Sequence, residues 1–78
     1  MEKFTIEIQE DEALEVYEVI DYAHGEDNKC KFEIFKAGKL AASFEPDSKG
    51  FLHVCKNPGN LNEITLEHLA EKIEFYNF

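Results

Sequence analysis

The sequence predicts an α+β fold, a five-stranded antiparallel β-meander followed by one C-terminal α-helix packed on one face of the sheet. Three observations lead there. Residues 4–9, Phe-Thr-Ile-Glu-Ile-Gln, alternate strictly between apolar and polar, the period of a half-buried strand. Residues 30–44 hold two runs of β-formers around Lys36-Ala37-Gly38, a hairpin signal. After Asn57-Pro58-Gly59-Asn60 the apolar period lengthens, so that Leu66, Leu69, Ala70, Ile73 and Tyr76 fall on one helical stripe.

Taken in order, the first strand turns Phe4, Ile6 and Ile8 inward and ends at Glu10-Asp11-Glu12. Residues 14–23 are also β-rich, but Leu14, Val16, Tyr17, Val19, Ile20 and Tyr22 do not keep one parity, which points to a bulge near Glu18-Val19. The stretch His24-Gly25-Glu26-Asp27-Asn28 reads as a turn. For the central hairpin, a three-residue loop with Gly38 in the left-handed region faces Phe35 with Lys39, Ile34 with Leu40, Phe32 with Ala42 and Cys30 with Phe44. A two-residue loop sets Phe32 against Ser43 and mixes the faces, so the pattern favours three. Glu45-Pro46-Asp47-Ser48-Lys49-Gly50 is a loop by composition, and residues 51–55 form a short fifth strand. Leu52 and Val54 look like core, but Phe51, His53 and Cys55 then share the second face and Phe51 is a large group to leave in water, so the pattern does not choose the inward side of this strand. Thr65 is placed to cap the helix, with Ile64 and Leu69 as a staple. The helix is then expected to cover a face of Phe4, Ile6, Ile8, Ile20, Phe32, Ile34, Leu40, Ala42 and Phe44.

The 78 residues make a single small α+β domain, 1–78, near the lower size limit for one hydrophobic core. Seven Phe and three Tyr within a 44% hydrophobic composition are enough to fold despite a net charge of −9. That charge is unevenly spread. Residues 1–28 carry ten carboxylates against Lys3, whereas residues 29–56 carry six lysines against Glu33, Glu45 and Asp47, an arrangement that suits pairing between neighbouring strands. Every basic residue is Lys. Without Arg, the residue that best forks onto phosphates and base edges, an acidic chain is not expected to bind nucleic acid. No apolar run is long enough to span a bilayer, and the opening residues lead straight into a strand pattern, so no membrane partner and a cytoplasmic location are expected.

The chemistry-bearing residues do not form a catalytic set. His53-Val54-Cys55 places His and Cys on one side of a strand, and with Cys30 they suggest zinc, a disulfide or a small metal- or thiol-dependent enzyme centred on His53 and Cys55. In a flat meander, however, the strands of Cys30 and Cys55 stand about 9.5 Å apart, across an intervening strand. That is too far for a disulfide. Two buried thiols and no cofactor are therefore expected. The clusters Glu10-Asp11-Glu12 and Glu26-Asp27-Asn28 lack the alternating oxygen ligands of a calcium loop, and Glu63, Glu67, Glu71 and Glu74 read as a solvated helix face or, less simply, as an acidic decoy for a basic partner. The remaining signal is a surplus of large apolar groups. Tyr17, Phe35, Phe51, Phe75 and Phe78 exceed what one helix can cover, which points to a non-catalytic interaction module with a protein partner or itself as partner, the homodimer forming through the second sheet face or the helix tail.

Overall fold

A computed structural model describes residues 2–10, 12–22 and 30–77, the side chains of the last two excepted. Five strands, β1 (Glu2–Glu10), β2 (Ala13–Asp21), β3 (Phe32–Lys36), β4 (Lys39–Pro46) and β5 (Leu52–Lys56), precede the helix α1 (Glu63–Asn77). They pair antiparallel in the order β1-β2-β3-β4-β5, an open meander. The turn expected over 24–28 lies outside the described residues, as does Phe78.

The β1–β2 register runs without a break from Glu2 opposite Asp21 to Glu10 opposite Ala13, so the bulge expected near Glu18-Val19 is absent. Strand β2 instead carries apolar residues on both faces. Tyr17 and Val19 are buried with Ile6 and Ile8 on the helix side, while Leu14, Val16, Glu18 and Ile20 take the opposite parity. Ile20 therefore belongs to the second face, where it is half-buried, and not to the helix-covered one.

The central hairpin departs from the expected register in an informative way. Its loop is the two-residue one: Lys36 faces Lys39, Phe35 faces Leu40, and both Ala37 (φ 52°) and Gly38 (φ 81°) are left-handed, the dihedrals that match hairpin twist. Continued unbroken, this register would turn Phe32 toward Ser43. The ladder shifts between Ile34 and Phe35, so that Ile34 faces Ala42 and Phe32 faces Phe44. Ala41 is the extra residue, a bulge that restores the faces. Leu40, expected inward, lies instead with Phe35 on the second face.

The core holds Ile6, Ile8, Tyr17, Val19, Phe32, Ile34 and Phe44 from the sheet and Leu69 and Ile73 from α1. The helix begins earlier than Thr65. Asn62 caps it, its Oδ1 accepting the Thr65 amide at 2.8 Å, and Leu61 and Leu66, one on each side of that cap, both pack on the core as a staple. Thr65 is buried, and its hydroxyl donates to Glu10 Oε1 at 2.7 Å. Contacts with β1 and β5 position the helix across the sheet. In the approach to α1, Asn57 clasps Leu61 through both side-chain atoms, and the Gly59 amide donates to Ala41 O at 2.8 Å. A Cβ on Gly59 would sit 2.9 Å from that oxygen and 3.0 Å from Ala41 Cα, both rigid backbone atoms. Gly59→Ala should therefore destabilise the fold by about 1–3 kcal/mol, read as a lower urea midpoint at unchanged m-value.

Candidate functional site

Cys30 and Cys55 form a disulfide, with their Cα atoms 6.4 Å apart. This overturns the expectation of two free thiols. A separation of about 9.5 Å holds only for residues within the ladder, and the β3–β4 ladder ends at Phe32 opposite Phe44; Cys30 lies outside it, against the second face of β4. There the Lys31 amide donates to Glu45 Oε2 at 2.9 Å, and the Ser43 hydroxyl donates to Cys30 Sγ at 3.4 Å. Ser43 is itself buried beneath this crossing, and its small side chain leaves room for it. From the other side, β5 contributes a second register shift: Ser43 faces Lys56 and Phe44 faces Val54, which leaves Cys55 unopposed and free to reach across. The bond spans 25 residues. It ties β5, exposed along most of its length, to the centre of the sheet.

Glu45 completes the group. One oxygen of its carboxylate lies with Cys30 Sγ and Cys55 Sγ so that all three atoms fall within 4.8 Å of one another. His53 does not join them. Its Nε2 lies 2.8 Å from Asp47 Oδ2, and Asp47 Oδ1 also accepts the amides of Lys49 and Phe51 at 2.8 and 3.0 Å. The His53 hydrogen bond first, then the two amides, hold the Asp47 carboxyl below the usual aspartate range. The structure thus gives His53 a carboxylate, where the sequence suggested a thiol beside it.

Of the five residues singled out as an interaction surface, the four that are described, Tyr17, Phe35, Phe51 and Phe75, do not form one patch. Tyr17 is a correction: it is buried in the core on the helix side, where desolvation raises its phenol pKa. Phe35 is half-buried on the second face, Phe51 is 59% exposed beside the 47–50 turn, and Phe75 is 87% exposed on α1. Parity alone missed Leu14 and Val16, which are more than half exposed. Of the helix glutamates, Glu74 has a structural task, accepting the Leu52 amide at 3.1 Å.

Strand β1 forms one margin of the sheet. Glu2, Lys3, Thr5, Glu7 and Gln9 are exposed along it, and an open groove of about 690 Å³ beside it is lined by Ile8, Leu14, His68, Lys72 and Phe75, among others. No helix among the described residues is long and apolar enough to cross a membrane. Comparison of the chain with protein-family models, with curated proteins and with solved structures finds no match.

Two outcomes test this geometry. A Cys30→Ser/Cys55→Ser variant should lose about 3 kcal/mol of stability, with faster amide exchange concentrated in β5. Because the Asp47 pKa is lowered in the folded state, its stabilising effect is present at neutral pH and is lost as pH falls through that value. Carboxyl titration by NMR should place Asp47 below ordinary aspartates, and His53→Ala should move it upward.

Proposed function

We propose that the protein is a non-catalytic interaction module that self-associates, two copies pairing antiparallel along β1. The carrying observation is the order of charges on that open edge. A symmetric antiparallel pair keeps the inward faces together only if the dyad passes through a residue position, which restricts the registers to a few. Centred on Thr5, the pairing sets Lys3 opposite the partner's Glu7 and Phe4 opposite the partner's Ile6, each of them twice. Centred on Ile6, it opposes Glu2 with the partner's Glu10. Centred on Glu7, it opposes that carboxylate with itself. Like charges directly opposite destabilise a strand pair and unlike charges stabilise it by about 0.2–1 kcal/mol each, so the Thr5 register is favoured. Charged side chains on an edge ordinarily keep other strands away. Here they reject a generic strand and accept a second copy.

A net charge of −9 and the absence of Arg speak against nucleic acid as the partner. Two cysteines in 78 residues are too few for a secreted disulfide scaffold, so we place the protein in the cytoplasm, with no membrane partner. There the Cys30–Cys55 pair is held mainly as thiols and closes when conditions turn oxidising.

Sedimentation equilibrium tests the pairing. The wild type should be a dimer at micromolar concentration, Lys3→Glu should weaken association about tenfold or more, and the Lys3→Glu/Glu7→Lys double variant should recover it. A wild type that stays monomeric, or a double variant no better than the single, overturns the reading.

A further inference from the structure

We propose that Cys30, Cys55 and Glu45 form a zinc site that the disulfide closes and reduction opens. Three potential ligand atoms from three separate segments, the approach to β3, the end of β4 and the bulge of β5, already lie within 4.8 Å of one another. Two thiolates and one carboxylate suit Zn²⁺ better than Mg²⁺ or Ca²⁺, because soft sulfur ligands favour the softer ion. The Cys30–Cys55 Cα separation of 6.4 Å lets two side chains converge on one ion with sulfur–zinc distances of about 2.3 Å.

The surrounding hydrogen bonds are those a metal site uses to hold its ligands. The Lys31 amide donates to Glu45 Oε2 at 2.9 Å, which orients the carboxylate, and the Ser43 hydroxyl donates to Cys30 Sγ at 3.4 Å. Such outer partners orient the ligands and set their basicity. Cys30 and Ser43 are buried whereas Cys55 and Glu45 are exposed, so the site has a built floor and an open entrance. Water takes the fourth position.

The chemistry balances with a dithiol reductant of the thioredoxin class. Its two thiols exchange with the Cys30–Cys55 bond, are themselves oxidised to a disulfide, and leave two protein thiols carrying the two transferred protons. Attack falls on the exposed Cys55 sulfur, and Cys30 leaves as a thiolate beside the Ser43 hydroxyl. Zn²⁺ then displaces both thiol protons to solvent. A disulfide oxidant reverses the sequence by the same exchange: its sulfur–sulfur bond is cleaved, its two sulfurs take two protons from solvent and leave as thiols, the Cys30–Cys55 bond re-forms, and the ion is released.

The test is titration of the reduced, metal-free protein with Co²⁺ and Zn²⁺ under anaerobic conditions. Co²⁺ should produce a thiolate-to-metal charge-transfer band and tetrahedral ligand-field bands, one equivalent of Zn²⁺ should abolish them, and the oxidised protein should show neither. Glu45→Gln keeps an acceptor for the Lys31 amide and should weaken Zn²⁺ binding at least tenfold. Ser43→Ala should weaken it about tenfold, the effect of losing an outer-shell partner. Circular dichroism confirms that each variant is folded. The proposal is overturned if the reduced wild type binds Co²⁺ or Zn²⁺ no more tightly than Cys30→Ser/Cys55→Ser, or if Glu45→Gln binds as tightly as the wild type.

Discussion

The two-residue turn at Ala37-Gly38 puts β3 and β4 one residue out of step with their hydrophobic pattern, and the bulge at Ala41 takes up that residue. Phe32, Ile34, Phe44 and the helix residues that cover them all depend on this correction, because a side-chain period of two turns a single slip into an inverted face. The compensation has a local cost, since a left-handed alanine is disfavoured by about 1–2 kcal/mol. What offsets it is burial: each large apolar side chain removed from water contributes about 1.5–3 kcal/mol. Ala41 takes part a second time, for its carbonyl receives Gly59 and so directs the chain toward α1.

The alternation of β1 and the helical stripe of Leu66, Leu69, Ala70 and Ile73 were legible in the sequence because one face of each meets water and the other does not. Strand β2 was less legible. With Leu14 and Val16 exposed and Tyr17 and Val19 buried, its pattern resembles a bulge although its ladder is regular. The hairpin misled for a related reason: turn type and bulge are coupled, and a rule that keeps the faces in order chooses a three-residue loop unless the compensating bulge is considered with the two-residue one. Helix capping was shifted by three residues because Asn62 and Thr65 are both good caps, and the bond from Thr65 to Glu10, across the fold, is not visible in local sequence.

The cysteine cluster was hidden for a geometric reason. Sheet spacing separates in-plane strands well, but it says nothing about a chain that climbs over a neighbour. Ser43 and the exposed carboxylate of Glu45 are the signal that such a crossing leaves, a small residue under it and an acceptor for the amide that no longer joins the ladder. The same crossing joins the approach to β3 to β5, a strand exposed along most of its length. Cross-linking there adds more than it would between two strands already locked by burial.

The hydroxyl of Thr65 meets Glu10 across 55 positions of chain, whereas each strand pairs only with its neighbours in sequence. Loop-closure entropy therefore bears lightly on the meander and heavily on the docking of the final element against the first. Such a chain can zip up its ribbon stepwise at little entropic cost, and the slow act of its assembly is the last one, when the spiral settles over the opening strand.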